Sequence, residues 1–246
     1  MTIRSYIKVL TYNILEEGEV TITNFDPGFS KERLFDRSLG FYCKYSSTSA
    51  FVVSIDQGSA ILPVDTLIIE GHLLDTVTID WQYSSNGSSW TTAETWTQSG
   101  NTQIVKNLAA PLTYQYWRVS MGSHQFQALE IFMGLGFKMP VVWENEPGLG
   151  EIDDIQKLRT YGGVDHSVRM GPKRKIRSYT LFLDRVTYNV DTLEGYLVYL
   201  DDYSKPVYLT DHEESTFLAW FDVPPKGSHM NQGLLTMPLS FTELAG

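Results

Sequence analysis

Along the first half of the chain, apolar positions alternate with polar ones in short runs, each closed by turn-forming residues. The runs are Ala50 to Ile55, Thr66 to Glu70, Val77 to Tyr83, Gln103 to Leu108, Tyr116 to Met121 and Ala128 to Met133. Between them stand Asp56-Gln57-Gly58, Ser85-Asn86-Gly87-Ser88 and Gln98-Ser99-Gly100-Asn101. A period of two sends successive side chains to opposite faces of a pleated strand, so each run can bury one face and wet the other. Short strands at this spacing, with no amphipathic helix among them, predict an antiparallel sandwich or barrel. Another strand opens the chain, with Ile3, Tyr6 and Val9 through Ile14, and ends at Glu16-Glu17-Gly18.

Past Met133 the rhythm changes. Gly134-Leu135-Gly136 and Glu144-Asn145-Glu146-Pro147-Gly148-Leu149-Gly150 are rich in turn formers and predict a junction. Beyond it Arg177 to Thr187 reads as a strand. Asp191 to Asp202 then places Leu193, Tyr196, Leu197 and Leu200 at helical spacing, with Asp191 as N-cap. Pro206 to Thr210, Thr216 to Val223 and Leu234 to Thr242 read as further strands. The expected organisation is an N-terminal strand over 1–17, a candidate to pair with the C-terminal domain, then a β-sandwich over 18–134 and a linker over 135–150. A smaller α+β domain with one covering helix follows over 151–246.

Composition narrows what such a chain does. Of its 246 residues 42% are hydrophobic and 13% aromatic, enough to fill a core and suited to half-buried pleated surfaces. The net charge of −10 argues against non-specific binding to phosphate backbones, so no nucleic-acid partner is expected. Cys43 is the single cysteine, which rules out an intramolecular disulfide and a thiolate zinc cage. Flanked by Phe41-Tyr42 and Tyr45, it reads as a buried strand thiol. No run approaches the roughly 18 to 20 apolar residues of a membrane-spanning helix. The start, Met1 to Ser5, also lacks a signal-peptide core. The expectation is a chain made in a cytoplasm without membrane insertion.

Residues of about 20 to 134 resemble the discoidin or galactose-binding-like superfamily. The resemblance is carried by Asn24 through Leu34-Phe35-Asp36-Arg37, by Phe51 to Gly58 ending in Asp-x-Gly, and by Leu67 to Leu74 with its Gly71-His72 corner. It continues in Trp81 to Trp90 around Asn86-Gly87, and in Tyr116-Trp117-Arg118-Val119 with Leu129-Glu130-Ile131. Asn86-Gly87 is independently a strong hairpin signal, and Trp90 is expected to return onto the sheet as a cap to the core. The resemblance implies a mainly β protein with a galactose-binding-like jelly-roll sandwich. The C-terminal part is similar in element order to the tail-tube type of fold in phage tails, which implies an α+β domain that assembles into rings. Its carriers are Gly171-Pro172-Lys173-Arg174-Lys175, the strand from Arg177, the helix around Leu193 to Tyr203 and Lys205 to Leu209. Together the two resemble distal tail (baseplate hub) proteins. What this implies is a structural component of a phage tail tip, carried in the virion, assembled in the host cytoplasm and partnered by copies of itself and by other tail proteins. The alternative is a carbohydrate-binding module or adhesin that contacts a cell-surface glycan.

The chain shows no Gly-x-Ser-x-Gly nucleophile motif, no phosphate loop and no paired histidines at metal-ligand spacing, so neither catalysis nor a cofactor is expected. Carboxylate pairs such as Asp153-Asp154, Asp201-Asp202 and Glu213-Glu214 are solvated by default, and nothing sets two acids across a sugar. Metal binding is not expected. The resemblance implies calcium only near Asp36, without the usual acidic and glycine residues around it. For glycan or partner binding the candidates are Tyr45, Asn86, Trp96 and Asn101; the competing reading is local packing or contact with a neighbouring subunit. Arg169, Lys173, Arg174, Lys175 and Arg177 form the one basic cluster, read either as a subunit-interface seam or as a solvated loop. His72, after a strand-ending glycine, reads as a hydrogen-bonding corner.

Overall fold

Alternation becomes strand wherever one face meets a core. The computed structural model describes residues 6–23, 26, 28–44, 50–123, 126–140, 148–152, 155–159, 165–169, 174–184, 205–211, 213–222, 228–229 and 234–244. The chain divides into two compact units, Leu10–Gly136 and a second unit of Met1–Val9 with Phe137–Gly246. The first is therefore inserted into the second in sequence.

The strands that build or enter the inserted unit are β1 (Tyr6–Asn13), β2 (Glu19–Ile22), β3 (Cys43–Lys44), β4 (Ala50–Asp56), β5 (Val64–Glu70) and β6 (Thr78–Ser84). They continue with β7 (Thr91–Thr97), β8 (Ile104–Leu112), β9 (Tyr116–Ser123), β10 (Gln127–Ala128) and β11 (Glu130–Pro140). One antiparallel sheet runs β2-β4-β9-β6-β7, the facing strands run β1-β11-β5-β8, and β3 pairs β10. Phe51, Val53 and Ile55 of β4, Ile79 and Trp81 of β6, and Trp117, Val119 and Met121 of β9 point inward. They meet Leu67 and Ile69 of β5, Ile104 of β8, and Ile131 and Met133 of β11 in one core. Trp81 and Trp117 are both fully buried, with ring centroids 5.6 Å apart. Each such side chain contributes roughly 1.5–3 kcal/mol through its burial. The expected mainly β, antiparallel sandwich is the fold observed.

Two local readings change. Gly134-Leu135-Gly136 lies inside β11 instead of forming a turn. Gly134 is glycine because a Cβ there would stand 1.9 Å from the Tyr12 carbonyl oxygen, so the backbones of β1 and β11 touch where a side chain would sit. Beside it, Asn13 ties the same strands: its Nδ2 donates to the Ile131 carbonyl at 3.0 Å, and its Oδ1 accepts from the amides of Met133 and Leu15 at 3.0 and 3.2 Å. The chain then turns through a short helix, α1 (Ile14–Glu17), capped by that same asparagine. β7 is absent from the runs read in sequence. Its Thr-rich face is largely exposed, as an edge strand's can be, and so carries little apolar alternation.

In the second unit, β12 (Gly148–Ile152), β13 (Ile155–Arg159), β14 (Asp165–Arg169), β15 (Arg174–Asp184), β16 (Val207–Thr210), β17 (Thr216–Phe221), β18 (Ser228–His229) and β19 (Leu234–Glu243) pair antiparallel with one another. The order is β12-β15-β19-β17-β16, with β18 on β19 and β13-β14 as a separate ribbon. The helix expected over 191–202 lies outside the described residues.

Candidate functional site

Strand registers define two ends of the inserted sandwich. Glu19 opposite Asp56, Asp56 opposite Tyr116 and Tyr116 opposite Ser84 mark one end. The loops 57–63, 85–90 and 113–115 leave from it. Ala50 opposite Ser123, Thr78 opposite Thr97 and Glu70 opposite Glu130 mark the other. From this second end leave the loops 23–49, 71–77, 98–103 and 124–129.

At the second end the long loop after β2 is pinned at two places. A 3-10 turn (Lys31–Leu34) drives Leu34 fully into the core. Further on, Cys43 pairs with Ala128 through β3 and β10, and both are buried. Burial raises the Cys43 thiol to about 11, so it is an inert packing group. Between these pins Phe35 still packs against the core, while Phe41 and Tyr42 are displayed outward. Phe41 is 60% exposed and Tyr42 41%. Tyr42 leans on Phe29 at 5.5 Å, and the Arg33 guanidinium sits 5.2 Å from the Phe41 ring centroid. On the 71–77 loop of the same end, Leu73 is 56% exposed. Three of the large apolar residues on the surface thus belong to one end, an arrangement that marks a contact surface.

Beneath this ledge the polar groups are largely spent internally. Arg37, 5% exposed and with a φ of 57°, gives its Nε to Glu16 and its Nη2 to the Thr11 carbonyl, while its backbone N–H meets Glu130 Oε2 at 3.0 Å. Glu130 is fully buried, and burial pushes its carboxyl well above the ordinary range. Across the strands, burial also raises Glu70, whose carboxylate accepts from Gln103. His72 is buried, and that burial lowers its imidazole pKa; Nε2 faces the Thr102 carbonyl at 2.6 Å, and Nδ1 accepts from the Leu74 amide at 3.3 Å. It is the corner residue expected.

The donor set around Asp36 does not fit calcium. Asp36 Oδ1 is occupied by the Ser38 amide at 2.9 Å, burial raises its carboxyl, and the nearby Glu16 and Glu130 already face Arg37. Among the described residues no group of three or more His, Cys, Asp or Glu could hold a metal.

Of the four sequence candidates, the three that are described do not gather at one end. Tyr45 lies outside the described residues. Asn86 is at the first end, where its Oδ1 accepts from the amides of Ser88 and Ser89 at 3.0 and 2.9 Å. Asn101 is exposed in the 98–103 loop of the second end. Trp96 packs against the core opposite Ile79, with the Lys106 ammonium 4.7 Å from its ring and 2.8 Å from Glu94 Oε1. Trp90, expected to cap the core, instead lies half-buried against Arg118, whose guanidinium carbon is 4.2 Å from the ring centroid. Phe41 and Tyr42 were seen in sequence only as flanks of Cys43. A period of two about a buried Cys43 turns Tyr42 outward, the one signal available.

Of the basic cluster, the side chains of Arg174, Lys175 and Arg177 are described. Lys173 lies outside the described residues, and for Arg169 only the backbone, in β14, is described. Arg174 is half-buried and Lys175 exposed in β15. Arg177 is 8% exposed, with Nε 3.5 Å from Oδ2 of the fully buried Asp211, which itself accepts from the amides of Glu213 and Ser215 at 2.9 Å. Its charge serves the interior of the second unit.

No family model and no curated protein sequence matches the chain. Solved structures similar to it include a family 32 carbohydrate-binding module of Clostridium perfringens in complex with galactose, at 12% identity and a TM-score of 0.42, covering 52% of this chain and 98% of that one. Chitosan-binding module 1 of a Paenibacillus sp. IK-5 chitosanase/glucanase is similar at 20% identity and a TM-score of 0.42, covering 50% and 98%. A Ruminococcus gnavus fucosidase in complex with fucose is similar at 16% identity and 0.45, covering 52% of this chain and 28% of that one.

Proposed function

We propose that Leu10–Gly136 is a carbohydrate-binding module that takes a sugar on the ledge of Phe41 and Tyr42. One observation carries the reading: two adjacent aromatic side chains are held 60% and 41% exposed at a loop end whose neighbouring backbone is anchored by Cys43 and Leu34. An exposed aromatic on a fixed backbone offers a flat apolar face without an ordering cost at the moment of binding, and the C–H face of a pyranose is the complementary surface. Arg33 beside Phe41 supplies donors for ring hydroxyls. A glycan array with the full chain, followed by titration of the best ligand, tests this. Phe41→Ala and Tyr42→Ala are each expected to weaken binding about ten-fold or more, the equivalent of losing most of one buried aromatic face. Unchanged affinity in both variants, or no glycan bound by the wild-type chain, refutes it. Trp96→Ala is expected to lower stability, because Trp96 packs inward.

A second reading concerns the unit of Met1–Val9 with Phe137–Gly246. It is a structural component of a phage tail tip, carried in the virion, that assembles with its own copies and other tail proteins. What supports it is that the sandwich is inserted, in sequence, between two segments of this unit. Light scattering on the full chain tests it. A ring-sized particle supports the reading, and a monomer at high concentration counts against it.

A further inference from the structure

On the outer face of the sheet β2-β4-β9-β6-β7, in from the first end by two residues of β9, stands Arg118. Its inward neighbours Trp117 and Val119 are fully buried, so the alternation of β9 fixes the direction in which Arg118 leaves the sheet. Three contacts then define its guanidinium. Trp90 lies 4.2 Å from the guanidinium carbon, Nε donates to Gln82 Oε1 at 2.6 Å, and Gln82 is itself held by its Nε2 donating to Thr92 Oγ1 at 3.1 Å. Among the described residues neither terminal nitrogen meets a protein acceptor. Asp80 on the same face is within electrostatic reach, yet its Oδ1 is occupied by the Thr95 hydroxyl at 2.6 Å and it makes no ion pair with Arg118. The guanidinium is thus held along one edge and open to solvent along the other.

We propose that Arg118 is the anion-recognising group of a second glycan subsite, one that takes the carboxylate of a uronic acid residue. A guanidinium presents its terminal N–H groups as a planar fork that matches the two oxygens of a carboxylate. Here the stack on Trp90 and the clamp from Gln82 remove the rotamer freedom that an exposed arginine loses on binding. The surroundings select a sugar over an acidic peptide. Ser54, opposite Arg118 on β4, and Ser120, two residues on along β9, stand on the same face and offer hydroxyl oxygens to a polyol, the Ser54 hydroxyl itself donating to the Thr21 carbonyl at 3.3 Å. The subsite stands on a different face from the Phe41–Tyr42 ledge, and neither needs the other.

The experiment is isothermal titration of the full chain with uronate trisaccharides of galacto, gluco and manno configuration, and with the methyl ester of each. Binding of at least one acid form is expected, weakened about ten-fold or more by esterification and by Arg118→Lys, which keeps the charge and loses the fork. Added salt weakens the acid form alone, because a solvent-facing charge pair is screened. In parallel, amide resonances of Ser54, Gln82 and Ser120 are expected to shift when the unmutated chain is titrated. That measurement stands even if a variant fails to fold. The proposal is overturned if no acid trisaccharide binds, if ester and acid bind alike, if Arg118→Lys binds as the wild type does, or if the shifts map to the 23–49 loop instead. The last outcome would leave the ledge reading intact and remove only this one.

Discussion

The two ends of the inserted sandwich are made from the same strands and use their polar groups in opposite ways. At the first end the loops satisfy themselves. Gln57 brackets the turn after β4, giving Nε2 to the carbonyls of Leu62 and Tyr114 at 3.2 and 3.0 Å and taking the Leu62 amide at 3.0 Å. Asn86 closes the β6–β7 hairpin in the same manner, and Tyr83 and Tyr114 stack at 4.1 Å. At the second end the hydrogen bonds run deeper, through Arg37, His72 and Glu130, and the residues above them are apolar and bare. One fold can therefore be stabilised at one end and leave the other as a surface. The difference lies in where side-chain donors are spent.

The sharpest way to break that comparison is Gln57→Ala. Gln57 is 8% exposed and makes three hydrogen bonds that no neighbour replaces. At about 1 kcal/mol each, the expected loss is about 2–3 kcal/mol of stability, with no change in glycan affinity. Urea denaturation and titration of the same sample decide it. A loss of binding at constant stability would move the functional surface to the first end.

Glu130→Gln examines the second end. Burial raises the folded-state pKa of Glu130, so the folded chain holds a proton that the unfolded chain releases in the ordinary carboxylate range. The stability linked to that proton is complete below the unfolded-state pKa and is lost as pH rises through the folded-state pKa. The variant keeps an acceptor for the Arg37 amide and cannot ionise. Its stability is expected to fall less steeply than that of the wild type between about pH 4 and pH 8, leaving it more stable at the upper end by about 1–3 kcal/mol, the cost of an unsatisfied buried polar group. Glu70 and Asp36, raised in the same direction by burial, keep the flattening partial. Parallel pH profiles would show that Glu130 is not buried as described.

Asn86→Ala returns to the first end with a smaller effect. Its Oδ1 holds the amides of Ser88 and Ser89 and the hydroxyl of Ser84, but the site is exposed, so about 1 kcal/mol is expected by denaturation, again without effect on binding. An affinity loss would restore Asn86 as a glycan contact.

This contrast also explains what could be read from sequence. The strands β4, β5, β6, β8, β9 and β11 were legible because each buries at least one face, and burial writes a period of two into the residue types. The hairpin at Asn86-Gly87 was legible because few residues tolerate its backbone; Gly87 has a φ of +71°. β7 was not, since an edge strand with an exposed Thr-rich face carries no apolar alternation to read. The ledge was not legible for a different reason. Phe41 and Tyr42 are the residue types that fill cores, and their exposure follows from the pairing of Cys43 with Ala128, a contact distant in sequence. Gly134 misled by the same route: a glycine needed for close approach to Tyr12 looks like one needed for a turn.

The smallest expected effect sharpens the comparison most. Phe41→Ser removes an aromatic ring that is 60% exposed and whose neighbour, the Arg33 guanidinium, is 5.2 Å from its centroid. A surface cation–π contact of that kind contributes about 0.5–1 kcal/mol at most, and relief of exposed apolar area offsets part of it, so the net change in stability is expected within about 0.5 kcal/mol of zero. Glycan affinity should fall about ten-fold or more in the same variant, since the stacking face is gone. A core aromatic of this fold, such as Trp117, would give the opposite signature, because its contacts are made in the folded state with or without a ligand. Thermal denaturation and glycan titration of Phe41→Ser together separate the two kinds of aromatic. A stability loss above about 2 kcal/mol, the mark of a buried ring, would show that Phe41 holds the fold and that the ledge is not a binding surface.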